Sequence, residues 1–310
     1  MLQGGQAHVT LRHMLFVNVV LPVFCIVLAG FFLEKKQSLD FRTLTDLSLY
    51  LMTPALVFSA LMKSPLPAIV GGRIALYMLF YTAALLLIGM VAARLCRFRG
   101  ETRRALYLAT AMMNVGNFGL PLAWFAYGEA GLDISVMTFV LFNIPLGTVA
   151  IMIAQNERTA LWEAVGNTLR IPIFYAVVAA FSCQALALQP PEFILRALDL
   201  LGQGAIPLML VLLGMQLGRS RVAADYTFLT VATTLRLFIA PIVGWVLASL
   251  LGFDGTARNV IVLQTSTPAA VLPLLYALRF DTRPDLVASA IFVTTLISAA
   301  SLTLLLYLLP

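Results

Sequence analysis

Apolar runs of about 20 residues, the length a helix needs to cross a bilayer, follow one another along this chain from Met14 to Leu309. Nothing else in the sequence restricts the fold so severely. Lipid offers no partners to backbone N–H and C=O groups, so only helices and closed barrels can span it. A barrel would show short segments of alternating polarity, and these runs do not alternate. Composition agrees: 61% of the 310 residues are apolar and 11% are charged, against about a quarter charged in soluble domains, and mean hydropathy is +0.96. The expected class is an all-α polytopic membrane protein whose first partner is the lipid bilayer. The first run, Met14 to Leu33, is too long for a secretory signal and is followed by Glu34-Lys35-Lys36 without a small-residue cleavage site. It reads as the first anchor, after a loose tail at 1–13.

Hydropathy punctuated by charge, Pro and Gly predicts ten spans, near 14–33, 44–62, 73–95, 104–127, 134–154, 167–187, 196–218, 227–251, 257–279 and 286–309. Cytoplasmic loops carry the excess of Lys and Arg. One set of loops holds Lys35, Lys36 and Arg42; Arg94, Arg97, Arg99, Arg103 and Arg104; Arg158 and Arg170; Arg219 and Arg221; and Arg279 and Arg283. The other holds only Arg12, Lys63, Arg73, Arg196 and Arg258, and Arg236 falls inside a span. Both termini are therefore expected on the non-cytoplasmic side. The net charge of +6 resides in these short loops, where it sets orientation, and does not point to nucleic acid. Cys25, Cys96 and Cys183 are odd in number and unpaired in spacing, which argues against a disulfide framework or metal site and suggests small core hydrophobes. No cofactor is expected.

The second half of the chain echoes the first. Leu21-Pro22-Val23-Phe24 resembles Ile171-Pro172-Ile173-Phe174, Asp46-Leu47 and Pro54 recur as Asp199-Leu200 and Pro207, and Pro121 matches Pro273, all at nearly one offset. Each half holds five spans, an odd number, so the second copy crosses in the opposite sense. This inverted-topology repeat is a construction common among secondary transporters. It divides the chain into a first five-helix repeat at 14–154, a short connector at 155–166 and a second repeat at 167–310.

The fourth and ninth spans are interrupted at corresponding places. One reads Asn114-Val115-Gly116-Asn117-Phe118-Gly119-Leu120-Pro121, the other Gln264-Thr265-Ser266-Thr267-Pro268-Ala269-Ala270-Val271-Leu272-Pro273. Proline removes a backbone donor and glycine eases departure from helical geometry, so both spans should break near mid-membrane, with new half-helices starting at about Pro121 and Pro273. Freed backbone groups survive there only beside protein or a water-filled cavity. Helix N-termini carry partial positive charge and open N–H donors, which suit a carboxylate. Asn114, Asn117, Thr265, Ser266 and Thr267 add neutral hydrogen-bonding groups without a buried charge. The bland alternative is that the prolines merely kink helices and the polar side chains satisfy the freed backbone.

Asn114, with Gly119-Leu120-Pro121-Leu122 and Tyr127-Gly128, and Pro268, Pro273, Ala277 and Pro284-Asp285 together resemble the auxin efflux carriers of plants (PIN type) and their bacterial malonate or organic-acid permease-like relatives. The resemblance spans the whole chain. It implies a ten-helix inverted repeat in which discontinuous helices four and nine cross near the substrate. It further implies a scaffold of the first, second, sixth and seventh helices, often dimeric, against which a transport bundle moves. By position it makes Asn114 the motif asparagine and Pro121 and Pro273 the crossing prolines. The chain departs from the plant carriers in its short connector and in Met113, where the plant motif has proline. Both departures favour a bacterial member, in the inner membrane.

Four further residues carry open alternatives. Asn143 lines the cavity or packs helices. Asp46 and Asp199 couple protons or cap helices at the interface. Arg236 is a counter-ion for an anionic substrate or snorkels to an interface. His8 and His13 receive no role. The leading expectation is a secondary transporter of a small organic anion working by alternating access; the alternative is a channel or transporter-like sensor. The sequence shows no metal-ligand pattern, nucleophile motif or nucleotide-binding loop, which argues against an enzyme and leaves a gradient, of protons or sodium, or the substrate itself to supply energy.

Overall fold

The computed structural model describes residues 16–37, 39–63, 68–155, 166, 171–220 and 222–309. The tail at 1–13 and most of the 155–166 connector lie outside the described residues, as do Arg158, Arg170, Arg221, His8 and His13. The described residues form helices α1 (Phe16–Lys36), α2 (Phe41–Lys63), α3 (Ala68–Leu95), α4 (Gly100–Ala111), α5 (Val115–Gln155), α6 (Pro172–Ala185), α7 (Glu192–Arg219), α8 (Tyr226–Leu250), α9 (Gly255–Thr265), α10 (Leu272–Arg279) and α11 (Pro284–Leu308). Seven of them, α1, α2, α3, α5, α7, α8 and α11, are long and apolar enough to cross a membrane. The protein is thus a multi-pass, all-helical membrane protein.

At 1.5 Å per residue, the 41 residues of α5 would extend to about 60 Å, twice the hydrocarbon thickness. The helix instead turns back on itself at Gly128, whose φ of 63° and ψ of −149° are non-helical. The reversal brings Gly131 against the carbonyl of Ala123. α5 is therefore two arms, 115–127 and 129–155, matching the second part of the expected fourth span and the expected fifth.

The ends of the helices sort by charge. At one end Arg219 pairs with Glu34 at 2.7 Å and donates to Leu39 O, while Arg104 and Thr282 both donate to Ala154 O and Arg283 reaches Thr102. At the other, Lys63 pairs with Asp199 at 2.5 Å and Gln184 donates to Leu61 O. The first set of contacts is made by Arg104, Arg219 and Arg283, three of the basic residues expected on the cytoplasmic side.

Packing between α1 and α7 is set by glycines. A Cβ on Gly30 would lie 2.2 Å from Val211 O, and one on Gly214 would lie 1.9 Å from Val27 O. The two backbones therefore touch, the small-residue contact by which membrane helices gain van der Waals energy where lipid supplies no hydrophobic drive. The cysteines are not core residues: Cys25 is exposed and Cys96 and Cys183 are partly so. They sit on helix faces or ends that the bundle does not enclose, where apolar character is equally suitable.

Candidate functional site

Both predicted breaks are present, and they meet. α4 ends at Ala111 and helix resumes at Val115; α9 ends at Thr265 and helix resumes at Leu272. Between them the two non-helical segments pair as an isolated antiparallel bridge, Met113 opposite Ala269. Asn114 N donates to Pro268 O at 2.9 Å and Ala270 N donates to Met112 O at 3.0 Å. Each break thus supplies the partners the other needs, which is how non-helical backbone persists at this depth. Thr294 of α11 accepts from Ala269 N at 3.2 Å.

The first restart comes earlier than the expected Pro121. A wide π-helical turn, Val115–Gly119, begins straight after Asn114, closed by Gly119 N donating to Asn114 O. Pro121, with no N–H, follows within the α-helical continuation, so the glycines and not the proline set where helix resumes. The second restart has Pro273 in its first turn, as expected. The N–H groups of Val115 to Phe118 have no acceptor in their own helix.

A cavity of about 350 Å³ opens onto this crossing. Asn114, Asn117 and Asn143 line it from the α5 side, and Ser48 and Gln216 from α2 and α7. Among the described residues its lining contains no Asp, Glu, Lys or Arg, and helix N-termini and neutral amides set the polarity they give it. Asn143 spends its amide nitrogen on Phe139 O at 2.7 Å, inside its own helix, and still faces the cavity. The Nδ2 of Asn114 is buried without a partner.

A second cavity, of about 670 Å³, lies at the Lys63 end, lined by Lys63, Asp199, Gln203, Trp124, Glu129 and Asp133 among others. It includes no residue of either break. Both cavities run along one seam, with α2 and α7 on one wall and α5 on the other. The first cavity reaches the crossing and the second does not.

Other predicted residues sit elsewhere. The hydroxyls of Thr265, Ser266 and Thr267 donate back to Ile261, Val262 and Gln264 carbonyls and line neither cavity. They finish α9, satisfying the carbonyls that its end exposes. Pro268 contributes its carbonyl to the bridge. A Cβ on Gly119 would lie 1.9 Å from Gln264 Oε1, so a side chain there would have to displace that amide. Neither aspartate caps a helix. Asp40 caps α2, accepting from Arg42 N at 3.1 Å; Asp46 is exposed within the helix; and Asp199 holds Lys63, Ser59 and Gln203.

Arg236 is neither a counter-ion in the cavity nor a snorkelling side chain. It is fully buried in α8. Its Nη1 donates to Thr110 O at 2.8 Å and its Nη2 to Tyr81 Oη at 2.8 Å and to Thr265 O. Those carbonyls lie in the last turns of α4 and α9, so one guanidinium caps the C-termini of both half-helices against their partial negative charge. Tyr81 also donates to Thr265 O at 2.6 Å, and Tyr77 bonds Gly244 O and Thr265 Oγ1, each at 3.0 Å. The sequence by itself assigns no role to Tyr77, Tyr81 or Thr110. Two hydroxyl-bearing rings four residues apart on one face of an otherwise apolar helix were the available signal.

A multi-pass helical bundle with a central cavity seated on paired helix breaks has the architecture of a membrane transport protein. The chain belongs to the family described as membrane transport protein, that of the auxin efflux carriers, which it matches over residues 15–168 and 161–306. It is similar to an uncharacterized transporter of Methanocaldococcus jannaschii, 23% identical over 92% of this chain and 96% of the relative. It is likewise similar to an uncharacterized transporter of Methanothermobacter thermautotrophicus, 28% identical over 93% and 96%. A protein of Rhizobium meliloti named "Putative malonate transporter" is 26% identical over 94% and 95%. The family is one of membrane transporters and not of enzymes.

Proposed function

We propose that the chain is a secondary transporter that carries a small organic anion by alternating access, with the crossing of the two breaks as its binding site. The carrying observation is the cavity, uncharged among the described residues, that ends on Asn114, Asn117 and an open helix N-terminus. N–H dipoles and amide donors bind a carboxylate without the cost of a buried basic side chain. The two cavities share a seam without joining, which favours a carrier over a channel. The proposed organisation is ten crossings in two inverted repeats, with α4 and the first arm of α5 as the fourth span and α9 and α10 as the ninth. The proposed scaffold is α1, α2, α6 and α7, with a homodimer formed through it. We place the protein in a bacterial inner membrane with both termini on the non-cytoplasmic side, an orientation that turns the cavity at the crossing toward the cytoplasm. The name of the Rhizobium meliloti relative supports malonate as the first substrate to try.

Uptake and efflux of labelled malonate and other small carboxylates in proteoliposomes test this. Loss of one charge-assisted hydrogen bond, about 1.5–3 kcal/mol, predicts that Asn114→Ala weakens transport roughly tenfold or more. Pro273→Ala should slow it as well, by altering the first turn of α10. Transport unchanged in both variants sinks the site.

A further inference from the structure

Gln264 is the one side chain at the crossing whose state the carrier site leaves unexplained. It stands one residue before the end of α9, is 0% exposed and lines neither cavity. Both amide atoms, Oε1 and Nε2, lack a hydrogen-bond partner. Its neighbours Thr265, Ser266 and Thr267 all return their hydroxyls to the helix, so the segment does satisfy polar groups where it can. An amide buried without partners gives up its water for nothing in exchange and lowers stability. Such groups are rare in native structures and call for a cause.

Its position indicates what the cause is. The amide lies against Gly119, where a Cβ would fall 1.9 Å from Oε1 and 2.8 Å from Cδ. α9 runs from the Lys63 end toward the break, and Gly119 lies beyond Asn114 in the direction of Trp124, which lines the cavity at the Lys63 end. Gln264 therefore lies against α5 at a level between Asn114 and the residues of that cavity. Asn114, whose Nδ2 is also unpartnered, lines the other cavity.

We propose that Gln264 is the ligand-binding amide of the state open at the Lys63 end, the counterpart of Asn114 in the state observed. Nε2 donates to a carboxylate oxygen of a small organic acid, and Oε1 accepts from a ligand hydroxyl or acid proton. Gly119 leaves the space in which the amide waits. The inference rests on the carrier reading for its substrate class, and on the local geometry alone for the exposure of Gln264.

Two experiments separate these. In a background carrying Cys25→Ala, Cys96→Ala and Cys183→Ala, the Gln264→Cys variant is treated in oriented vesicles with a membrane-impermeant methanethiosulfonate applied from the Lys63 side. Labelling at position 264, fully buried here, is expected; a thiol that stays unreactive overturns the proposal. Gln264→Met, which keeps the length and removes the amide, is then compared with the unaltered protein. Thermal unfolding without ligand should be unchanged or shifted upward, while the KM for labelled malonate presented from the Lys63 side rises about tenfold, the effect of one lost hydrogen bond. A downward shift with an unchanged KM makes Gln264 a structural residue and overturns the proposal. Unaltered protein that moves no carboxylate refutes the carrier reading, and with it the substrate class proposed for Gln264.

Discussion

Replacing Arg236 with methionine removes a charge and three hydrogen bonds from the centre of the molecule while nearly preserving volume. Two effects oppose each other. A buried cation whose hydrogen-bond partners are two carbonyls and a phenol has lost its hydration, and an apolar side chain escapes that penalty. Against this, Thr110 O loses the guanidinium donor, at about 1–3 kcal/mol for an orphaned carbonyl. Thr265 O keeps Tyr81 as a donor and is less affected. The C-termini of α4 and α9 then face one another uncompensated, which adds about 1–2 kcal/mol in a buried setting. With the carbonyls fixed by the bridge at Met113 and Ala269, the second group of effects wins, and Arg236→Met should lose about 3 kcal/mol. Arg236→Lys keeps the charge but lacks the planar fork that reaches two carbonyls at once, and should lose about half as much. Equilibrium unfolding in mixed micelles, followed by tryptophan fluorescence, gives the differences, and millimolar guanidinium should restore part of the stability of an Arg236→Ala variant. Arg236→Met protein as stable as the unaltered protein would refute the argument, by showing that desolvation of the arginine outweighs its capping of both helices.

Gly214→Ala should cost about 3 kcal/mol or more, since its Cβ meets backbone atoms, Val27 O at 1.9 Å and Phe31 N at 2.8 Å, that cannot rotate away. Gly204→Ala on the same helix meets nothing nearer than Met52 Cε at 3.4 Å and should gain up to about 1 kcal/mol of helix propensity; thermal stability of the two variants in detergent decides. Gly128→Ala has open space around it, so any loss is conformational. At φ 63° and ψ −149° an alanine is strained by about 1–3 kcal/mol, and an unchanged melting temperature would mean that the reversal of α5 tolerates a different backbone path.

The positions of both breaks were legible because glycine and proline act locally. Asn114, Gly119, Pro268 and Pro273 mark backbone irregularity whatever surrounds them. What the breaks do to one another was not legible, since antiparallel pairing of Met113 with Ala269 is a contact between segments 156 residues apart. The polarity of Thr265 to Thr267 suggests site groups, but polarity in a span does not distinguish a group facing a cavity from one turned back on its own helix. Arg236 shows the same limit: a lone basic residue in an apolar run announces a special environment, while its partners, Thr110 and Tyr81, come from α4 and α3. Asp46 and Asp199 match in sequence yet differ in surroundings, because among the described residues Asp199 has a lysine opposite it and Asp46 does not.

The join between the two half-helix pairs is made of main-chain groups and one distant arginine. Main-chain hydrogen bonds do not depend on which side chains the residues carry. The frame of the crossing can therefore stay constant while Asn117, Asn143, Ser48 and Gln216 are exchanged, and the lining of the cavity is the part of the molecule that evolution can rewrite at least risk to its fold. Relatives that share the frame are free to differ in what they admit.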